Sequence, residues 1–175
     1  VEIVKRYSNC YILKDLVIDV DHNDCFNDHV MDFNFPDMHK HWVLGQYNWD
    51  NQFDDTSIHE FIFNNVEEID SNCTIRKGFH EIGYGQSIPP HSDIKHIAGL
   101  TIFLNHKWEE QWGGHNVCMK EPDADGVGAY GDSIITAPVY GMGVLIIAPC
   151  VHFTLPVFED KKRRTIQFFY DEKVA

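Results

Sequence analysis

The spacing of apolar residues along this chain changes once, near residue 73. Before it, Ile58, Ile62, Val66 and Ile69 recur at three- and four-residue steps behind Thr56 and Ser57, which predicts an amphipathic helix over 56–69 with a capping residue at its start. A second helix is predicted after Pro36, where Met38, Trp42 and Leu44 fall at irregular helical spacings. Farther upstream, the β-prone runs 10–13 and 16–20 predict an outer strand or hairpin. After Cys73 the helical spacing gives way to short apolar runs broken by Gly, Pro and Asp. These predict strands at about 74–82, 87–91, 97–104, 115–120, 132–137, 143–148, 151–157 and 164–170.

Helices followed by a series of short strands predict a mostly β protein, a sheet sandwich or jelly roll backed by N-terminal helices, rather than alternating βαβ units. A length of 175 residues fits one domain, with 1–72 as helical and β support and 73–171 as the β core. A net charge of −13 argues against nucleic acid or an anionic membrane as partner, because both are held chiefly through cationic contacts. The dense basic run, Lys161-Lys162-Arg163-Arg164, is of the kind that ordinarily forms a solvated loop. Five cysteines without a Cys-x-x-Cys pair write neither a zinc ribbon nor a thioredoxin-type motif. Their odd number and the lack of a secretory signal favour a reducing compartment, so a cytoplasmic protein is expected. No apolar run approaches the length of a bilayer span.

The chemistry concentrates at His91-Ser92-Asp93, which follows a glycine-rich stretch and a Pro-Pro turn. Residues two apart on an extended strand share a face, so His91 and Asp93 are placed to hold one metal ion together. His152, at the end of the Val144-Leu145-Ile146-Ile147 run and its Pro-Cys-Val sequel, is the expected third ligand. Two imidazoles and a carboxylate on one face of an octahedron leave three positions open, the arrangement of non-haem Fe(II) oxygenases. The chain holds a second His-x-Asp triplet, His22-Asn23-Asp24, but it lies in a polar, acidic stretch without an apolar strand and reads as a solvated loop. Because His152 comes so much later than Asp93, only a closed or folded-over sheet brings the three together.

Four segments carry a family resemblance. Ile82-Gly83-Tyr84-Gly85 through Pro90-His91-Ser92-Asp93 is similar to a Tyr-Gly-x-Gly segment leading to Pro-His-x-Asp. Leu100-Thr101-Ile102-Phe103-Leu104-Asn105, with Trp108 and Gly113-Gly114, is similar to a Tyr-Leu-Asn, Trp and Gly-Gly signature. His152 with Pro156-Val157 is similar to a distal His-x-x-x-Pro-Val, and Arg163-Arg164-Thr165-Ile166 to an Arg-x-Ser/Thr strand start. In this order and spacing, over residues 74–170, they resemble the Fe(II)- and 2-oxoglutarate-dependent dioxygenases, most closely the prolyl-4-hydroxylase-like branch.

The resemblance implies a double-stranded β-helix, a jelly-roll or cupin-like core. It also implies that His91, Asp93 and His152 are catalytic metal ligands for Fe(II), that 2-oxoglutarate is the cosubstrate and O2 the oxidant, and that ascorbate serves as an accessory reductant. The far carboxylate of 2-oxoglutarate calls for a cation that makes two parallel hydrogen bonds, and Arg163 is the expected anchor, with Thr165 on the same strand face. Lys162 and Arg164 point the other way, and a register shift of one residue would pass the role to one of them. Ile82 and Phe103 stand where many members have tyrosines, which puts prolyl specificity in question and leaves Thr101 as a substitute polar group. Tyr84, Trp108 and Trp112 are candidate rim residues, and the loops near 46–56 and 121–131 candidate lids. The primary substrate stays open between a peptide or protein residue and a small molecule. Two other functions fit the same pattern: a non-catalytic jelly-roll binding module, which takes up no iron, and a cupin-like metal enzyme of another reaction type, which has no use for Arg163 as a cosubstrate anchor.

Overall fold

The change of spacing at residue 73 marks where the chain begins to weave between two sheets in the computed structural model, which describes residues 1–18, 53–119 and 132–173 and the backbone of 31–32 and 45–46. It opens with a hairpin of β1 (Glu2–Tyr7) and β2 (Cys10–Lys14). A separate short ladder of β3 (Met31–Asp32) and β4 (Gly45–Gln46) comes next. Helix α1 (Thr56–Asn65) is followed by β5 (Thr74–Ile82), β6 (Ile88–His91), β7 (Ala98–Phe103), β8 (Asn116–Met119), β9 (Ser133–Thr136), β10 (Gly143–Ile147), β11 (His152–Thr154) and β12 (Arg163–Asp171).

The large sheet has the order β1-β2-β10-β7-β12-β5 and the small one β6-β11-β8-β9, with every ladder antiparallel. From β5 onwards the chain visits large, small, large, small, small, large, small and large sheet in turn. That alternation is the jelly-roll pattern, and it makes β6 and β11 neighbours although they are far apart in sequence.

Strand parity divides the core into two layers. On the outer face of the large sheet Leu13, Leu100, Ile102, Leu145, Ile166 and Phe168 pack in one cluster with Ile58, Ile62, Val66 and Ile69 from the helical segment. Between the sheets Cys10, Ile12, Phe103, Cys118, Val144, Ile146 and Cys150 form a second cluster. Full burial of one such aliphatic side chain contributes about 1.5–3 kcal/mol, so Ile58 and Ile62 tie α1 to the sheet, and Val66 and Ile69 tie down the segment after it.

The eight strands expected after residue 73 are all present, and the helix expected at 56–69 is shorter. Its four apolar positions are buried as the spacing predicts, but α1 ends at Asn65, whose side chain donates to the Phe61 carbonyl at 2.7 Å while Val66 turns extended. Asn is a weak helix former that bonds readily to its own backbone, so the paired Asn64-Asn65 stops the helix before the hydrophobic pattern does. The start is held from two residues before Thr56, by Asp54, which accepts the Thr56 N–H at 3.0 Å.

Among the described residues α1 is the sole α-helix, so the expected plural of N-terminal helices is corrected. The helix expected after Pro36 falls largely outside the described residues, and where it overlaps them Gly45–Gln46 is the strand β4, paired with Met31–Asp32. The His22-Asn23-Asp24 triplet and the candidate lid residues 47–52 and 121–131 lie outside the described residues as well. The partner of the 10–13 run is the charged stretch Glu2–Tyr7 and not 16–20, because β1 is an edge strand whose outer side needs no apolar residues. Among the described residues no helix is long and apolar enough to cross a membrane.

Candidate metal centre

His91 is the last residue of β6 and His152 the first of β11, and the register sets them directly opposite each other. Asp93 lies just beyond β6, where the chain turns and its carbonyl accepts the His96 N–H at 3.0 Å. His91 Nε2 stands 3.6 Å from Asp93 Oδ1, and His152 Nε2 3.4 Å from Asp93 Oδ2. These gaps are too long for strong hydrogen bonds. They are within the largest separation, about 4.2 Å, of two donors that each reach one ion at about 2.1 Å. Among the described residues this is the one group of three metal-ligating side chains whose donor atoms converge, all within 4.8 Å.

The tautomers are set by the backbone. His91 Nδ1 is 2.9 Å from the Pro89 carbonyl and His152 Nδ1 is 3.0 Å from the Cys150 carbonyl. A carbonyl only accepts, so both Nδ1 atoms carry the hydrogen and both Nε2 lone pairs face Asp93. This is how imidazole ligands are oriented for a metal.

Burial pushes the Asp93 carboxyl upward, but contacts with His152, His91 and His96 outweigh it and hold its pKa below the ordinary value. For His152 burial disfavours the charged form, while Asp93 and the Cys150 carbonyl outweigh it and raise the pKa. A carboxylate anion flanked by two imidazole Nε2 atoms is a donor set that fits a divalent ion such as Fe(II). His91 and Asp93 keep 25% and 30% of their side-chain surface exposed against 10% for His152, so the centre is reached from outside past the first two.

Behind it the inner face of the large sheet is polar, where a jelly-roll interior is ordinarily apolar. Arg163, Thr165 and Gln167 alternate inward along β12, opposite Ile82, His80 and Gly78 of β5 and, for the last two, Phe103 and Thr101 of β7. Arg163 is 1% exposed and Thr165 0%. None of the three guanidinium nitrogens of Arg163 has a hydrogen-bond partner. Its neighbours are the Phe103 ring, 5.2 Å from Cζ, and the wall formed at Gly114, where a Cβ would lie 3.2 Å from the Arg163 Cδ. Burial lowers the pKa of Arg163 to about 9, which leaves it cationic at neutral pH. The adjacent basic residues turn outward: Lys162 Nζ and Arg164 Nε pair with Glu81 at 2.7 and 2.9 Å.

A hydrogen-bond chain gives Thr165 a direction. The Thr101 hydroxyl donates to Gln167 Oε1 at 2.7 Å, and Gln167 Nε2 donates to Thr165 Oγ1 at 3.3 Å. The Thr165 hydroxyl is therefore supplied with a donor and has its own proton to give.

Of the candidate rim residues, Tyr84 is 69% exposed beside Val157, whereas Trp108 and Trp112 pack edge to face and Trp108 Nε1 donates to the Gly113 carbonyl. Gly113 has a φ of +72°, and a Cβ there would meet the Pro156 carbonyl oxygen at 2.1 Å, so the Gly-Gly pair lets the 113–114 turn close against the chain after β11. Two inward polar residues escaped sequence reasoning, His80 and Gln167. For Gln167 a signal was present, since it shares the parity of Arg163 on β12, whereas His80 joins that face only through the pairing of β5 with β12.

No family model matches the chain, and no curated protein matches it. Similarity appears among solved structures. A prolyl-4-hydroxylase from Pseudomonas putida aligns at a TM-score of 0.50 and 18% identity over 67% of this chain and 60% of its own. A prolyl 4-hydroxylase from Phytophthora capsici gives 0.50 and 16% over 67% of this chain and 40% of its own. An oxidoreductase of the 2OG-Fe(II) oxygenase family from Burkholderia pseudomallei gives 0.50 and 14% over 95% and 68%. The structural neighbours are thus prolyl 4-hydroxylases and 2OG-Fe(II) oxygenase family proteins, and the chain shares their fold while spanning only part of the first two.

Proposed function

We propose that this chain is an Fe(II)- and 2-oxoglutarate-dependent dioxygenase, a single oxygenase domain over its 175 residues that hydroxylates a peptide or protein residue or a small molecule. The observation that carries this is the buried guanidinium of Arg163, without a hydrogen-bond partner on any of its nitrogens, in the interior behind a His-Asp-His centre. A buried unpaired cation is costly, and a carboxylate ligand is the group that offsets it. Neither a plain binding module nor a metal enzyme without a dicarboxylate cosubstrate has use for both features.

In this scheme His91, Asp93 and His152 hold iron. Arg163 and Thr165 hold the far carboxylate of 2-oxoglutarate, the arginine through its planar fork and the threonine through its free proton. Iron and 2-oxoglutarate, when bound, supply O2 activation with decarboxylation of the cosubstrate to succinate and CO2 and delivery of oxygen to a substrate C–H. The exposed edge of His91 and Asp93 is where O2 and the primary substrate approach. Ascorbate belongs in the assay as reductant.

Anaerobic titration with Fe(II), with and without 2-oxoglutarate, is the test. A charge-transfer absorption that needs both additions is expected. Iron binding without any response to 2-oxoglutarate would sink the proposal in favour of another metal enzyme, and no iron uptake would favour a binding module.

A further inference from the structure

Among the described residues Nδ1 of His80, like the Arg163 nitrogens, is a buried polar atom without a hydrogen-bond partner. His80 stands opposite Thr165 on β5, one inward position from Ile82, which is opposite Arg163. The row across three strands is His80, Thr165 and Phe103. Its packing gives the imidazole a direction. Its Cδ2–Nε2 edge packs over Gly78, where a Cβ would lie 3.9 and 3.6 Å from those atoms, so the edge bearing Nδ1 is turned away from Gly78. Both the Arg163 cation and the Asp93 carboxylate are near enough to act on the ring electrostatically.

The apolar neighbours narrow its role. Ile82 and Phe103, the residues beside Arg163 and Thr165 on the flanking strands, offer no donor. Burial and the Arg163 cation drive the pKa of His80 down to about 3, so the ring is neutral and keeps one N–H to give. A neutral donor beside a buried cation is compatible with an anion shared by both, whereas a second cation there would repel the first. A purely structural histidine in this position would have its Nδ1 bonded to protein, as most buried polar atoms do.

Resting on the proposed 2-oxoglutarate site, we infer that His80 is a binding residue of this chain for the cosubstrate, donating from Nδ1 to a carboxylate oxygen held by Arg163 and Thr165. The cradle is then built of three donors on adjacent inward positions, and it selects ligands carrying a carboxylate at that depth.

Calorimetry of the Mn(II)-loaded protein with 2-oxoglutarate tests this without turnover. His80→Phe keeps a ring but no donor and should weaken 2-oxoglutarate about tenfold or more, the scale of a lost hydrogen bond to a charged group. His80→Asn places an amide N–H near the position of Nδ1 and should return binding to within about threefold of the parent. Mn(II) affinity should be the same in all three. Undiminished binding in His80→Phe overturns the inference and leaves the oxygenase proposal standing. A parent protein that takes up Mn(II) but no 2-oxoglutarate overturns both. Should His80→Phe fail to fold, the side-chain 15N resonance of His80 in the parent decides: a shift of Nδ1 on adding 2-oxoglutarate supports the contact, and an unmoved resonance excludes it.

Discussion

His91 and His152 face each other across one position of the β6–β11 ladder, with ring centroids 4.2 Å apart and their planes tilted by 54°. Each donates its Nδ1 hydrogen to the carbonyl two residues earlier, Pro89 and Cys150. The same local device on two antiparallel strands thus aims both Nε2 atoms at Asp93. The orientation of both rings is set by the backbone.

Loss of any one ligand should therefore abolish the centre. His91→Ala, Asp93→Ala and His152→Ala are each expected to bring Fe(II)-dependent succinate formation to background and to abolish tight Mn(II) binding in calorimetry. His22→Ala, at the other His-x-Asp triplet, should leave turnover within about twofold. Equal damage from His22→Ala would move the metal site elsewhere.

Metal affinity should also depend on pH in a definite direction. The protonated His152 competes with a metal, and its pKa is raised because contact with Asp93 outweighs burial. Binding should weaken as pH falls through that raised value, by up to about tenfold per unit for one displaced proton. The folded protein without metal behaves oppositely: the His152 contribution to stability is full below the unfolded pKa and is lost as pH rises through the folded one. Asp93, whose pKa is lowered, contributes above its unfolded pKa and loses this as pH falls through the folded value. Mn(II) calorimetry from pH ~8 to ~6 beside thermal melts without metal checks the two His152 effects, melts carried below pH ~4 check that of Asp93, and metal affinity flat with pH would show that His152 carries no competing proton.

The strands were legible from local alternation and turn signals, and so was the grouping of His91, Asp93 and His152, once a folded-over sheet is granted. Period-two alternation places Arg163 and Thr165 on one face, and the structure has them buried while Arg164 and Lys162 reach Glu81. The end of α1 was not legible from hydrophobic spacing, since Val66 and Ile69 remain buried after the helix has stopped. β1 escaped because an edge strand with Glu2, Lys5 and Arg6 carries no apolar alternation. His80 and Gln167 escaped for another reason. Their roles come from cross-strand register, which pairs β5 with β12 and β12 with β7 across long stretches of chain, and no single segment records it.

The parity of β12 makes a sharp prediction about its cations. If Arg163 anchors 2-oxoglutarate as proposed, Arg163→Ala leaves its carboxylate without a buried partner, a loss of about 3–5 kcal/mol, and should raise the apparent KM for 2-oxoglutarate by a factor on the order of 10² to 10³. Arg164→Ala removes a partly exposed partner of Glu81, worth roughly 0–1 kcal/mol, and should change KM less than about threefold. Succinate release against 2-oxoglutarate concentration separates them, and a severe defect confined to Arg164→Ala would reverse the assignment.

The chain Thr101, Gln167 and Thr165 makes the final prediction, because its polarity assigns the Thr165 proton to a ligand. Thr165→Val is close to isosteric and removes that proton along with the acceptor of Gln167. It should weaken 2-oxoglutarate binding to the Mn(II) protein by roughly 10- to 100-fold, as for a hydrogen bond to a charged group. Thr165→Ser keeps the hydroxyl and should stay within about threefold of the parent. Thr101→Val acts at one remove. It frees Gln167 Oε1, the amide can turn over, and an oxygen then faces Thr165 Oγ1 and takes its proton. Binding should fall by an intermediate factor, about three- to tenfold, with Mn(II) affinity unchanged. If Thr101→Val binds 2-oxoglutarate like the parent while Thr165→Val is impaired, Thr165 acts without the relay. If Thr165→Val itself binds normally, the hydroxyl gives its proton to something other than the cosubstrate, and Arg163 is left to hold the carboxylate without it.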